Sequence, residues 1–175
     1  VADSNNNIHV VWQDPAYGNN EIFYKKLNLN GLALTPDIRI TNTQESSTNP
    51  SIDIDSNNFI HIVWQEAGFS PSQIFYKKLN NNGINLTSNI QVSSLPYGSG
   101  IPAQNPDLDI DNWNNIHIVW SGLSNTYWGF YRIFYKKLDN SGISLINDTI
   151  INDNPYSNYV SYDTPSISLD TDGNI

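Results

Sequence analysis

The sequence predicts an all-β fold built from β-propeller blades, because two phrases recur in order along the chain. Ile-His-x-Val-Trp stands at 8–12, 60–64 and 116–120, and Ile-Phe-Tyr-Lys-Lys-Leu follows at 22–27, 74–79 and 133–138. An equivalent aspartate recurs 52, 56 and 59 residues apart, at Asp3, Asp55, Asp111 and Asp170. Self-similarity at this period, in units rich in short strands, is typical of propeller blades.

Each repeat reads as four short strands, A to D. Strand A is predicted at 51–55, 107–111 and 166–170, where apolar residues alternate with Asp or Ser. Strands B and C are the two repeated phrases, apolar, β-branched and aromatic. Strand D is predicted at 37–41, 89–93 and 149–152. Turns rich in Asn and Gly separate the strands, and no segment has a capped helical period.

About three four-stranded antiparallel blades are therefore expected, in an incomplete ring or as part of a larger or oligomeric propeller. The predicted boundaries are 1–49 for blade 1, which lacks its strand A, 50–105 for blade 2 and 106–164 for blade 3, and residues 165–175 supply strand A of a following blade. A closed propeller needs roughly four to eight blades. The remaining blades are expected from the same chain or from a second copy.

Composition excludes several classes of function. The net charge is −9, and six of the eight basic residues form three Lys-Lys pairs, which opposes binding to nucleic acid. The chain has no cysteine and no apolar run of membrane-spanning length. Abundant Asn, Ser, Thr and Tyr favour an extracellular or cell-surface protein.

The repeat resembles the sialidase-like propellers with Asp-box (BNR) repeats. The resemblance rests on the run Asp-x-x-Asn-Asn-x-His-x-Val-Trp, then Ile-Phe-Tyr-Lys-Lys, then a turn with Gly31, Gly83 or Gly142. The Asp box itself departs from its pattern Ser-x-Asp-x-Gly-x-x-Trp, of which only the Gly is kept. The Ser position holds Leu27, Leu79 and Leu138, and the Asp position holds Leu29, Asn81 and Asn140. The Trp position holds Leu34, Leu86 and Leu145. The resemblance implies the fold, and it implies a ligand face opposite the Asp boxes.

Length variation points to the same face. Asp to Trp is nine residues in every repeat, and Tyr to the turn Gly is seven. Trp to Tyr is instead 12, 12 and 15, and turn Gly to the next strand-A Pro is 19, 23 and 23. The B–C and D–A connections therefore vary, and in an up-and-down blade both lie on one rim, where recognition is expected.

Exposed aromatic residues in these connections, together with one arginine, are the candidate ligand-binding site. Stacking on sugar rings or anchoring of a protein surface would use Tyr and Trp side chains. The alternative is that they are local core. The candidates are Tyr127, Trp128, Tyr131 and Arg132 in the third B–C connection, and Tyr97, Tyr156 and Tyr159 in D–A connections.

Two further patterns are interpreted as structural, so no cofactor is expected. His9, His61 and His117 recur once per blade between buried positions, which favours hydrogen-bonded structural residues over metal ligands or catalytic bases. The Asp strings at 53–57 and 107–111 favour the lining of a solvated channel. Calcium bound to these carboxylates is the alternative.

Two functions remain open. The first is a non-catalytic extracellular propeller module for surface structure, adhesion, or binding of a glycan or protein through the B–C and D–A face. The second is part of a sialidase-like glycoside hydrolase. The resemblance implies for such an enzyme an arginine cluster, a Tyr–Glu nucleophile and an acidic Asp. The chain holds two arginines, Arg39 and Arg132, at non-equivalent positions, and three glutamates, so we expect no complete catalytic set within it.

Overall fold

The fold consists of antiparallel β-sheets in which tight turns precede strands B and follow strands C. The structure, a computed structural model, describes residues 1–68, 71–94, 102–123, 131–152 and 164–170. These ranges hold strands and turns and no helix. The strands form three sheets in which successive strands pair side by side. The predicted all-β fold of propeller blades is confirmed, and the ring that the three sheets begin is open.

The strand bounds are as follows. The first sheet holds β1 (Ile8–Asp14), β2 (Glu21–Leu27) and β3 (Ile38–Arg39). The second holds β4 (Ser47–Ile54), β5 (Ile60–Glu66), β6 (Gln73–Leu79) and β7 (Ile90–Gln91). The third holds β8 (Ala103–Ile110), β9 (Ile116–Leu123), β10 (Tyr131–Leu138) and β11 (Ser144–Ile150).

Strands B and C form where the repeated phrases predict them, whereas strands A and D differ in length. Strand A begins earlier than its Asp-containing phrase, at Ser47 in β4 and at Ala103 in β8. Strand D is only two residues long in the first two sheets, and β11 in the third is seven. Residues 164–170 pair with no strand among the described residues. Short outer strands are expected at a sheet edge, where pairing is limited to one side.

The tight turn that precedes strand B is built the same way in all three blades. Asp55 accepts hydrogen bonds from the backbone N–H groups of Asn57 and Phe59, both at 2.9 Å. The turn is completed by Asn58, which has φ of 62°. Asparagine adopts this left-handed conformation more readily than most residues. The sequence Asp-x-x-Asn therefore fixes the turn and aligns the two strands.

The core lies between the blades. One cluster joins Tyr24 of the first sheet to Ile62 and Trp64 of the second, and the other joins Tyr76 of the second sheet to Trp120 of the third. Each fully buried large side chain contributes about 2–3 kcal/mol. Stacking of blades, rather than any single blade, therefore supplies the apolar burial.

The first sheet differs from the others because no described blade covers its outer side. Every residue of β5 is buried, whereas Val10 of β1 is 38% exposed. Strand β4 lies between β1 and β8, so the strands A form the inner side of the array. Among the described residues, none belongs to a helix with the length and hydrophobicity needed to cross a membrane.

Candidate functional site

A cavity of about 480 Å³ opens where the inner strands of successive blades begin. We call it the inner-rim cavity, and its lining consists of three equivalent tripeptides: Asn49-Pro50-Ser51, Asn105-Pro106-Asp107 and Thr164-Pro165-Ser166. Ser47 at the start of β4 pairs with Glu66 at the end of β5. The cavity therefore lies on the rim of the B–C and D–A connections. Its volume is within the usual range of small-ligand sites.

The Asn-Pro dipeptides interrupt the inner strands in the same way in two blades. The pairing of β4 with β5 shifts between Thr48 and Ser51, and that of β8 with β9 shifts between Gln104 and Asp107. Such a bulge turns side chains away from the regular alternation of a strand. The residues in the two bulges are therefore directed into the cavity rather than along the sheet.

The backbone of both asparagines is strained. Asn49 has φ of 51° and Asn105 has φ of 52°, and each precedes a proline. A following proline disfavours helical backbone conformations, so a left-handed residue at this position is costly even for Asn. Strain of this kind costs on the order of 1–3 kcal/mol and is concentrated at functional sites.

Glutamine side chains of the preceding blade hold the asparagines in place. The Asn49 backbone N–H donates to Gln13 Oε1 at 2.8 Å. The Asn105 backbone N–H donates to Gln65 Oε1 at 3.4 Å. The Asn49 amide also donates to Asn105 Oδ1 at 2.9 Å and to Gln65 Oε1 at 3.2 Å. The polar lining is therefore positioned by bonds that run from blade to blade.

Asp107 of the third sheet joins the second sheet to the segment at 164–170. Ser51 Oγ donates to Asp107 Oδ1 at 2.7 Å. Ser166 Oγ and the Ile167 backbone N–H donate to Asp107 Oδ2 at 2.9 and 3.0 Å. Carboxylate, amide and hydroxyl groups beside proline rings can bind a ligand rich in hydroxyl groups. The arrangement supplies binding groups and positions them rigidly.

A pair of carboxyl groups lies two residues further along the inner strands. Burial, together with a hydrogen bond and repulsion from Asp109, raises the pKa of Asp53 to about 7. Asp109 Oδ2 in turn accepts the Leu169 backbone N–H at 2.6 Å. Two carboxyl groups that share a hydrogen bond favour one shared proton. They are too close for the roughly 5–9.5 Å separation that a glycosidase acid and its partner need.

The predicted aromatic site falls mainly in parts of the chain that the structure does not describe. Tyr97, Tyr127, Trp128, Tyr156 and Tyr159 lie outside the described residues. Tyr131 and Arg132 begin β10, where Tyr131 is half-buried and Arg132 is 3% exposed. The described residues do place the start of β10 at the predicted rim. The aromatic ligand site stays a prediction.

The three histidines are buried and hydrogen-bonded on both ring nitrogens. His61 Nδ1 lies 2.8 Å from Tyr76 Oη, and His61 Nε2 lies 3.4 Å from Asp55 Oδ2. Burial lowers the pKa of His61, although Asp55 opposes the shift. His9 and His117 have the same partners in their own blades. This arrangement suits a structural role, as the sequence predicts.

The described residues hold no group of three or more His, Cys, Asp or Glu side chains placed to bind a metal ion. Two carboxylates of the Asp strings, Asp107 and Asp109, accept backbone hydrogen bonds from the segment at 164–170. Calcium binding by the chain stays a prediction to be tested.

Comparison with solved structures shows the propeller fold. An endo-arabinase from Bacteroides thetaiotaomicron VPI-5482 superposes with a TM-score of 0.59 at 12% identity, over 89% of this chain and 61% of that one. A thermostable family-43 glycoside hydrolase gives 0.58 at 15% identity, over 99% of this chain and 61% of that one. A fucose lectin from Kordia zhangzhouensis gives 0.49 at 13% identity, over 92% and 97%.

This chain thus spans about three fifths of the length of the two glycan-acting enzymes. No protein-family model matches the sequence, and no curated protein matches it as a relative. At such low identity the similarity establishes the fold alone.

Sequence reasoning missed the inner-rim cavity, although a signal for it was present. The tripeptides Asn-Pro-Ser, Asn-Pro-Asp and Thr-Pro-Ser stand at equivalent positions, at 49–51, 105–107 and 164–166. Proline inside a strand indicates an edge or a bulge. Reading the repeated Asn-Pro as a bulge, rather than as the end of a loop, would have directed attention to the inner rim.

Proposed function

We propose that this chain is a carbohydrate-binding propeller module of an extracellular or cell-surface protein, with its ligand at the B–C and D–A rim. The observation that carries the proposal is the inner-rim cavity, where three successive repeats present amide, carboxylate and hydroxyl groups on the rim whose connections vary in length. Sugar hydroxyls require donors and acceptors in fixed directions, and the blade-to-blade hydrogen bonds fix them.

The ligand class follows from the chemistry of the lining. The lining offers both polar and apolar surface, and its one carboxylate, that of Asp107, accepts hydrogen bonds from Ser51, Ser166 and the Ile167 backbone. Aromatic residues of the adjoining connections, Trp128 first among them, would stack on the apolar face of a sugar ring. The two enzymes with similar folds are an endo-arabinase and a glycoside hydrolase, which makes carbohydrate the first ligand class to test.

The test is a glycan array probed with the purified chain, followed by calorimetry on each glycan bound. Asp107→Asn keeps the shape of the cavity and removes its charge, so binding should weaken by about tenfold or more, as expected for one hydrogen bond to a charged group. Trp128→Ala tests the aromatic part of the same rim. Asp37→Asn is the matched control, because Asp37 is exposed, pairs with Lys25 and lies beside the C–D turn.

The proposal fails if no glycan binds, or if Asp107→Asn binds as tightly as the unchanged chain. Binding that responds to Trp128→Ala but not to Asp107→Asn would place the ligand on the aromatic connections and away from the cavity. Circular dichroism of each variant shows whether the fold is kept.

The second hypothesis from the sequence is part of a sialidase-like glycoside hydrolase. The carboxyl pair that the described residues bring together, Asp53 and Asp109, is in direct contact and does not have a glycosidase spacing. Incubation of the chain with each glycan it binds, followed by chromatography of the sugars, tests hydrolysis directly.

A further inference from the structure

Exposed apolar side chains are concentrated on the rim of the A–B and C–D turns, opposite the rim of the inner-rim cavity. Each C–D turn exposes two aliphatic residues, one and three positions after the turn glycine. Nine of the thirteen large apolar residues that the described part of the chain exposes lie in these turns or directly after them. They form a concentrated set, unlike the single apolar residues that are normal on a protein surface. We call this set the apolar rim: Leu29, Leu32, Leu34, Ile84, Leu86, Trp113, Ile143, Leu145 and Ile146.

The middle blade shows that these side chains stay exposed when both neighbouring blades are present. Ile84 and Leu86 of that blade are 62% and 49% exposed. Their counterparts in the first blade, Leu32 and Leu34, are 65% and 51% exposed, and Ile143 in the third is 64% exposed. The exposure is nearly the same in every blade, so the stacking of blades leaves the apolar rim uncovered.

The C–D turns hold these side chains in fixed positions. Asn80 Oδ1 accepts the Ile84 backbone N–H at 3.0 Å. Asn28 Oδ1 and Asp139 Oδ1 accept the equivalent N–H groups of the other two blades, both at 2.9 Å. A surface that is ordered before binding loses less conformational entropy when a partner covers it.

Contacts between turns join the three blades along this rim. The Ser4 backbone N–H donates to Asn58 Oδ1 at 3.0 Å. The Ser56 backbone N–H donates to Asn114 Oδ1 at 3.0 Å. Within the third blade, Asn140 Nδ2 of the C–D turn donates to the Asn114 carbonyl of the A–B turn at 3.2 Å. The apolar rim is therefore part of one surface that extends across the blades.

The turns of this rim carry almost no charge, although the chain has eight basic and 17 acidic residues. Asp139, at the start of the third C–D turn, accepts N–H groups of its own turn, and Lys25 pairs with Asp37 at 2.6 Å. Apolar surface with few charges is typical of the interfaces of homodimers. The segments without a charged residue are 4–7, 28–36, 56–59, 80–89, 112–115 and 140–147.

A second copy of the chain is the partner that matches this surface. The net charge of −9 makes two copies repel each other, so they approach most easily through the face that lacks charges. In a twofold contact the same patch lies on both partners, so aliphatic residues repeated from blade to blade meet the same repeat. Membranes with anionic lipids instead attract clusters of Lys and Arg, and the uncharged turns contain neither.

We propose that the apolar rim is the interface through which two copies of the chain associate face to face. Each copy covers the aliphatic side chains of the other and removes them from water. The B–C and D–A rims of the two copies then point away from each other. The association therefore does not depend on the function proposed above.

Sedimentation equilibrium over a concentration series measures the association. The rim variant carries Ile84→Ser and Ile143→Ser, and the matched control carries Val10→Ser and Ile151→Ser, at residues exposed elsewhere. Burial of one aliphatic side chain is worth more than about tenfold in affinity, so the rim variant should associate at least about tenfold more weakly than the unchanged chain. The control should associate like the unchanged chain. Added salt should not weaken the association, because screening also reduces the repulsion between the copies.

Circular dichroism shows whether each variant keeps the fold, as expected for substitutions at exposed positions. The proposal is overturned if the unchanged chain stays monomeric throughout the series, if the rim variant associates as tightly, if the control loses as much, or if salt weakens the association. Flotation with phosphatidylcholine vesicles tests a lipid surface as the partner. Vesicle binding that the rim variant loses, by a chain that is monomeric without vesicles, would overturn the proposal in favour of that partner.

Discussion

Close approach of the turn glycines to the preceding blade can be measured by substituting alanine. Gly31, Gly83 and Gly142 have nearly the same backbone, with φ of 76°, 81° and 86°. A Cβ at Gly83 would stand 2.7 Å from both Ile38 and Tyr24, whereas a Cβ at Gly31 would meet nothing within 4 Å. The pair of variants therefore separates backbone strain from crowding between blades.

The expected magnitudes follow from these two costs. Left-handed backbone costs a residue with a side chain about 1–2 kcal/mol, so Gly31→Ala should destabilise the chain by that amount. Gly83→Ala carries the same cost plus overpacking of about 1–3 kcal/mol against Tyr24, which is buried, and Ile38, which is half-buried. Replacing Gly with Ala lowers the conformational entropy of the unfolded chain equally in both variants, so this contribution cancels when their free energies of unfolding are compared.

Urea denaturation followed by tryptophan fluorescence gives the two free energies of unfolding. In thermal unfolding, each additional kcal/mol should lower Tm by about 2–4 °C for a chain of this size. Gly142→Ala repeats the test where the third blade packs against Tyr76 of the second. Equal destabilisation by Gly31→Ala and Gly83→Ala would refute the close packing of turn against blade.

Three other predictions concern the buried polar groups. Because burial and Asp109 raise the pKa of Asp53 to about 7, the chain should lose stability as pH rises from about 4 to 7. Asp53→Asn should flatten that decline and be more stable than the unchanged chain at pH 8, by at most about 4 kcal/mol; an unaltered pH profile would contradict this. Tyr76→Phe removes the hydrogen bond at His61 Nδ1, while Asp55 still contacts Nε2, and should cost about 1–3 kcal/mol. The loss should exceed that of Tyr135→Phe at the half-buried position, and equal losses in denaturation experiments would contradict this. Added calcium should leave Tm unchanged, and a rise that a chelator reverses would identify a calcium site.

Much of the fold could be predicted because the signals are local. The phrases that form β5 and β6 contain the apolar, β-branched and aromatic residues that favour strands. Asp55 with Asn58 specifies the turn before β5. Strand D was predicted at five residues in the first two blades, but β3 and β7 have only two. Its extent depends on pairing with the neighbouring strand, which the sequence of the strand does not encode.

The contacts between blades could not be predicted, because they join residues far apart in the chain. Asn81 and Asp3 are separated by 78 positions, and nothing at either position indicates the other. The Asn-Pro bulge at Asn49 likewise depends on Gln13 of the preceding blade. The repeat shows which positions are equivalent, but the structure is needed to show that each contacts the blade before it.

The most direct test of ligand binding at the inner rim is a crystal structure of the chain with a glycan selected on the array. We predict density for the sugar in the inner-rim cavity, hydrogen-bonded to Asn49, Asn105 or Asp107, with Trp128 close to a sugar ring. Density for the sugar beside the C–D turns, at the opposite rim, would contradict it.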